Sequence, residues 1–411
     1  MRVLLPQHPW GSRRELLLEF PDHWVVEVGE IAGAGQSPLG DRDIEKALRE
    51  PIGSPPLKEL ARGRREVVIL FDDMSRITPA RVVIPWILQE LEVAGVAEDR
   101  VRFIAALGCH GAMTRSDFVK KLGEEVVSRF PVYNHNPFGE SVFVGETKSG
   151  TRVFVNAEVM GCDLKIAIGS VAPHTMTGFG GGGKIVLPGV ASFETIEEFH
   201  KKGKEALGGR GGPFSVLELL RGNPLREDIR DAVQMVGLDF KVELLVNGRG
   251  EAVAIFAGSP DLAHKAALRE AIRHYRAPFI GDASIVVANV FSKASEGEIG
   301  VVSSLPSLTP RGGDMVLVCQ VPEGHVTHYL MGTFGRLSKT PLALKIPLPK
   351  RLRQLIILTQ YPEPAFCDYF DDPERIVFVK GWQEVLSLLK DRHPPGSKVA
   401  VYPSADLHFF G

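Results

Sequence analysis

The sequence predicts an α/β protein of two domains, with mixed, largely parallel sheets and an active site in the cleft between the domains. Three observations point there. The chain has 411 residues, too many for one ordinary hydrophobic core. Short apolar, β-branched runs alternate with helical patterns, as in parallel sheets covered on both faces. That alternation stops near residue 275 and then starts again.

In chain order, Glu66–Asp73 (EVVILFDD), Val101–Leu107 (VRFIAAL) and Leu164–Ser170 (LKIAIGS) read as strands. A helical pattern from Pro79 to Val93 separates the first two. Proline suits a first helical turn, where an N–H would go unpaired anyway. Ser141–Glu146 and Thr151–Asn156 flank Thr147-Lys148-Ser149-Gly150 and predict a hairpin. A second hairpin joins Lys241–Asn247 to Ala252–Ala257, and a helix follows over Pro260–Tyr275. The restart supplies strands at Ser284–Val290, Met315–Val321, Gln354–Thr359, Arg375–Val379 and Lys398–Tyr402, with a helix over Gly381–Asp391. The expected domains are therefore residues 1–275 and 276–411. No internal repeat or low-complexity segment interrupts them.

Composition narrows the function classes. Hydrophobic residues make up 44% and charged residues 24%, with a formal net charge of −2, so no strong field favours nucleic acid or an anionic membrane. Cys109, Cys162, Cys319 and Cys367 form no CxxC pair. They read as neither a disulfide framework nor a thiolate metal site, which suits a reducing cytoplasm. The apolar start Met1–Pro6 is too short for a signal peptide. No run of about 18 apolar residues predicts a membrane span. A cytoplasmic location is expected.

The densest chemical signal is Pro173-His174-Thr175-Met176-Thr177-Gly178-Phe179-Gly180-Gly181-Gly182-Gly183-Lys184. Four consecutive glycines after a strand cost backbone entropy. They suit a loop that must approach an anionic ligand closely; a tight domain-crossing turn is the structural alternative. Gly178 to Lys184 fits the G-x-x-x-x-G-K part of a phosphate loop, but Ile185 stands where that motif needs Ser or Thr for Mg²⁺. Lys184 then reads as a nucleophile or covalent anchor. His110 and His174 each follow a strand, where open α/β sheets place their ligands, and two imidazoles there suit acid–base work. Asp73, Arg76 and Thr78 close the first strand; Arg suits a carboxylate or phosphate, and an ion pair with a helix cap is the alternative. His200 ends a helix-like stretch from Ser192 and by itself reads as a surface histidine near a helix end.

Together these segments resemble the nickel-pincer lactate racemase family. The matching residues are Asp73-x-x-Arg76 with Thr78-Pro79, Gly108-x-His110 with Met113-Thr114, Asn134-His135, Val155-Asn156, and Pro173-His174 running into Gly178–Lys184. Pro188-Gly189, His200 and Gly222-Asn223-Pro224 follow in the family's order. The likeness covers roughly residues 65 to 230, and the histidine–glycine–lysine block is its most specific part.

The resemblance implies a racemase or epimerase that inverts C2 of a 2-hydroxy acid. It implies a cofactor, the nickel-pincer nucleotide (pyridinium-3,5-bisthiocarboxylic acid mononucleotide nickel), to which hydride is reversibly transferred. By that likeness Lys184 bonds covalently to the cofactor and His200 ligates nickel, completing the near-square-planar field nickel(II) accepts. Asp73, Arg76, Thr78 and Gly180, Gly181, Gly182 and Gly183 hold the nucleotide. His110 and His174 exchange protons with the substrate hydroxyl on opposite faces. Residues 1–275 become the cofactor-binding, catalytic domain and 276–411 the domain that closes the substrate cleft. The partners implied are a small 2-hydroxy acid and cofactor-making enzymes.

One segment departs from the family. Its Tyr-Gln-x-x-Lys stretch is replaced by Phe291-Ser292-Lys293-Ala294-Ser295-Glu296-Gly297-Glu298. Lys293 and Glu296 become the candidate substrate contacts, and Gly111 stands where the family often has arginine. The expected substrate is then larger or more polar than lactate, such as a sugar acid. Two alternatives stand beside this reading: a phosphate-binding transferase with a degenerate phosphate loop, and a non-catalytic relative that binds nucleotide or hydroxy acid.

Overall fold

A computed structural model describes residues 1–7, 10, 14–207, 216–336, 338–339 and 345–411. Two six-stranded sheets organise them. The first runs in the order Ala252–Gly258, Phe240–Val246, Leu164–Ser170, Val67–Asp72, Val101–Ala106, Val132–Asn134. All its pairings are parallel except the first, which is the predicted second hairpin. Every side chain of Leu164–Ser170 and Phe240–Val246 is buried, because helices cover both sheet faces. The other predicted hairpin forms, but Ser141–Glu146 and Arg152–Asn156 make a separate two-stranded ribbon.

The second sheet is parallel throughout, in the order Ile376–Val379, Leu352–Leu358, Gly313–Cys319, Ile285–Val290, Lys398–Tyr402, Val25–Val28. Its last strand comes from the first thirty residues of the chain. The preceding antiparallel pair, Arg2–Gln7 with Arg14–Glu19, packs Val3, Leu5 and Leu18 into the same core as Val287, Val316 and Val399. The expected division at 1–275 and 276–411 is therefore crossed at the amino-terminal end. Residues near the start complete the second sheet, because that sheet has an open edge beside Lys398–Tyr402 and their side chains cover its face.

The chain passes between the two sheets at two places, and these lie side by side. Ala32 N–H donates to Arg276 C=O (3.0 Å), and Gly33 N–H donates to His274 C=O (2.9 Å). A Cβ on Gly33 would sit 2.0 Å from the His274 ring, so only glycine permits this approach. A separate core containing Ile31, Phe179, Tyr275, Phe291 and Phe409 joins the two halves beneath the crossing. Among the described residues, no helix is long and apolar enough to cross a membrane.

Candidate active site

Three neighbouring parallel strands, Leu164–Ser170, Val67–Asp72 and Val101–Ala106, end on the same side of the first sheet. Their continuations carry His174, Asp73 and His110. The chain order reverses between the first two strands, and such a reversal opens a crevice at carboxyl ends. A cavity of about 500 Å³ lies there, and the second sheet contributes Lys293, Glu296 and His328 to its wall. Of the residues singled out from the sequence, His110, His174, Lys184, His200, Asp73, Arg76, Gly180, Gly181, Gly182, Lys293 and Glu296 all line it. Thr78 and Gly183 are not among the lining residues. Thr78 is buried, and its hydroxyl is engaged by Asp72 and by Ser170 Oγ at 2.8 Å. Gly183 faces a helix: a Cβ there would meet Val233 at 2.4 Å.

His110 is oriented as a base. Its Nδ1 lies 2.7 Å from Asp73 Oδ2, so Nδ1 carries the proton and Nε2 offers a lone pair. Burial alone would lower this imidazole, but the Asp73 carboxylate prevails and raises it above its ordinary value. Asp73 is raised by burial, yet the charge and hydrogen bond of His110, with Arg76, hold it well below the carboxylate range. Asp73 thus orients His110 in this structure. Arg76 spans the cleft to an ion pair with Glu296 of the second sheet. Glu296 Oε1 lies 3.7 Å from His110 Nε2. Burial pushes the Glu296 carboxyl up, but Arg76 and His110 outweigh it and bring it to about 2.

His174 has the opposite tautomer. Its Nδ1 accepts the backbone N–H of Met176 (3.1 Å) and Thr177 (3.3 Å), leaving the proton on Nε2. That nitrogen lies 2.6 Å from Lys184 Nζ. Burial, followed by the Arg76 charge, pushes the Lys184 amine well below its usual value. Burial and the neighbouring Lys184 do the same to His174. An amine pushed down in this way reaches its unprotonated, nucleophilic form more readily, as acyl attachment needs once the contact with His174 is released.

His200 lies within the helix Phe193–Leu207 rather than at its end. Its Nδ1 donates to Ile196 C=O at 2.8 Å, so the Nε2 lone pair is available. Burial brings it down to about 4. A neutral imidazole whose other nitrogen is held by a carbonyl is the usual form of a metal ligand. Lys184 and His200 therefore fit an acyl-linked, metal-carrying group. The degenerate phosphate-loop reading fits less well, because Gly182–Ile185 is a single 3₁₀ turn and no long helix starts there to present its N-terminus.

Sequence reasoning missed Lys121, Glu243 and Asp406 beneath these residues, and it named Asn134 and Asn223 without giving them a role. Fully buried Lys121 reaches Asp72 Oδ1 (2.6 Å) and donates to the carbonyls of Asp73 (2.8 Å) and Arg76 (2.6 Å), pinning the loop that carries them. Buried Glu243 accepts from Gly182 N–H, lies 3.1 Å from His264 Nδ1 and pairs with buried Lys241 at 3.3 Å, so it holds the glycine loop from below. Asn134 brackets the loop after His110, accepting Met113 N–H (3.0 Å) and donating to Met113 C=O (2.8 Å). Asn223 Nδ2 donates to Met176 C=O at 2.8 Å and steadies the His174 loop. Asp406 Oδ2 accepts the N–H groups of Phe291, Ser292 and Lys293 at 3.0, 2.7 and 2.6 Å. Lys293 in turn donates to Pro173 C=O at 2.9 Å, and burial, then Arg76, lowers its amine to about 8.

Cys109, His110 and His328 offer ligand atoms within 4.8 Å of one another. They make a poor cation site. Leu330 N–H already occupies His328 Nδ1 at 3.2 Å, which leaves the proton on Nε2, and burial pushes the Cys109 thiol up to about 12. Metal binding needs a deprotonated thiol and a free imidazole lone pair.

Comparison with known proteins adds to this geometry. Residues 11–207 match the lactate racemase N-terminal domain. A lactate racemase of Thermoanaerobacterium thermosaccharolyticum is 29% identical over 265 residues, covering 62% of this chain and 59% of the relative. One from Lactiplantibacillus plantarum is 33% identical over 225 residues, covering 54% of this chain and 51% of the relative. The alignments thus span a little over half the length of these curated relatives. The fold superposes on the lactate racemase apoprotein of T. thermosaccharolyticum with a TM-score of 0.72 over 100% of both chains, at 21% identity. A protein from Thermotoga maritima gives a TM-score of 0.66 at 18% identity, over 92% of this chain and 100% of that one.

Proposed function

Because the chain belongs to the lactate racemase family, we propose that it is an isomerase, a racemase or epimerase that inverts C2 of a 2-hydroxy acid. The observation that carries this reading is one cavity lined by an aspartate-backed histidine, a hydrogen-bonded histidine–lysine pair and a histidine whose Nε2 is open to a metal. Lys184 and His200 would hold a nickel-pincer nucleotide. When bound, that group supplies the hydride-accepting chemistry that inversion at C2 requires. His110 removes the hydroxyl proton through Nε2, with Asp73 stabilising the imidazolium. His174 serves the opposite face of C2; to act as a base it must release Lys184 and its two backbone donors. Lys293 attracts the substrate carboxylate.

A substrate longer than lactate is favoured by two features. Glu296 places a carboxylate beside His110, suited to accepting hydrogen bonds from further hydroxyls, as on a sugar acid. A second cavity of about 470 Å³ shares Asp73 and Ser75 with the wall of the first, and a longer tail would extend towards it.

The test is the intact mass of wild type and Lys184→Ala after co-expression with a nickel-pincer biosynthetic pathway, followed by chiral analysis of 2-hydroxy and sugar acids. An adduct of mononucleotide size on wild type alone, with inversion at C2, is the expected result. An unmodified mass in a host verified to make the cofactor would overturn the reading.

A further inference from the structure

The second sheet brings a histidine into the cleft that the likeness does not assign. Residues Thr327–Tyr329 lie antiparallel to the His110 loop: Gly111 N–H donates to Thr327 C=O (2.9 Å), and Tyr329 N–H donates to Cys109 C=O (2.9 Å). This bridge sets the His328 ring 5.1 Å, centroid to centroid, from the His110 ring, tilted by 56°. His328 is buried and lines the same cavity as His174, Lys184 and His200.

Its chemistry is fixed by its own backbone. Leu330 N–H occupies Nδ1, so the neutral ring carries its proton on Nε2. Burial, with His110 close by, keeps it well below the usual histidine value and therefore uncharged. Cys109 Sγ lies 3.6 Å from Nε2 and 3.8 Å from Nδ1, a weak acceptor shared between the two nitrogens that a ligand oxygen would replace at Nε2. A buried, uncharged N–H donor thus lies beside the His110 ring in the shared cavity.

We propose that His328 is a substrate-contacting residue whose Nε2–H donates to the C2 oxygen of the bound 2-hydroxy acid while His110 Nε2 takes that oxygen's proton. The two rings grip one oxygen from different domains: one accepts the proton, the other stabilises the partial negative charge that develops on the oxygen until hydride leaves C2 and the carbonyl forms. No proton leaves His328. Preorganised donors of this kind act mainly in the transition state. The assignment rests on the C2-inversion reading.

The experiment compares wild type, His328→Asn and His328→Leu, each loaded with cofactor and checked for fold by thermal unfolding. Loss of one such donor typically lowers kcat about 10²-fold or more. The expected result is that loss for His328→Leu, with KM little changed, partial recovery in His328→Asn, and an acidic limb of the pH profile that stays in place. In the apoprotein, ¹⁵N spectra of the histidine rings show His328 protonated on Nε2 and neutral at pH 6. Loss confined to KM, a shifted acidic limb, an Nδ1–H tautomer, or unchanged kinetics in folded His328→Leu would each overturn the assignment. Cofactor-loaded wild type that inverts no 2-hydroxy acid would overturn the functional reading instead.

Discussion

At the scale of single residues, the Asp73–His110 pair governs how the site responds to pH. His110 is raised in the fold, so its contribution to stability is present below about pH 6.5 and fades as pH rises through the raised value. Asp73 is lowered, so its contribution is present above about pH 4 and fades on acidification. The pair therefore stabilises most between those limits. Asp73→Asn removes the carboxylate that raises His110. The His110 titration, followed by NMR, is expected to move to lower pH, and the acidic limb of kcat/KM with it, while kcat falls by roughly 10²-fold. A titration that stays in place would assign the raised value to another neighbour. His110, His174 and Lys184 were legible because each stands in an unusual local context, after an apolar strand or within a glycine run. Lys121 was not. It reads as one basic residue in a helix, and its value lies in Asp72, 49 positions earlier and brought to 2.6 Å only by folding.

At the scale of elements, the glycine loop is held from beneath by the strand Phe240–Val246. Glu243→Ala would leave Lys241 buried without its carboxylate and Gly182 N–H without its acceptor. Breaking one partner of a buried pair costs about 3–5 kcal/mol, to be read by chemical denaturation, with Glu243→Gln milder because it keeps an acceptor. Gly183→Ala is expected to cost about 1–3 kcal/mol through overpacking, since its Cβ would press on Val233 and Ile229 at 2.4 and 2.7 Å. Both hairpins and the main strands were readable from alternation and turn residues. The helix Pro224–Val236 was not singled out, although Asn223 caps it and Pro224 opens it. The short strand Val25–Val28 alternates only between exposed and half-buried positions, too weak a signal to stand out.

At the scale of the whole molecule, a restart near residue 275 was visible, but the return of the first thirty residues to the second sheet was not. A sequence shows neighbours along the chain and carries no local mark of which distant edge a strand will join. Deleting residues 1–28 is expected to remove Val3, Leu5, Leu18 and Trp24 from the second core and expose the Lys398–Tyr402 edge. Limited proteolysis should then cut the second domain while the first sheet stays resistant. Arg76 and Glu296 join the two halves directly. A double-mutant cycle with Arg76→Met and Glu296→Gln should give a coupling of about 0.5–3 kcal/mol; additive effects would mean that the pair holds nothing together.

The paired crossing at Ala32–Gly33 and His274–Arg276 has a mechanical consequence. A single linker would let the two halves swing in any direction. Two linkers hydrogen-bonded side by side act as the spine of a book, leaving rotation about one axis as the soft motion. Rotation about that axis would part the contacts that join the halves: the His328 bridge to the His110 loop, Arg76 with Glu296, and Lys293 with Pro173. An opening of that kind would carry His328, Glu296 and Lys293 away from His110, Arg76 and Pro173 in one movement.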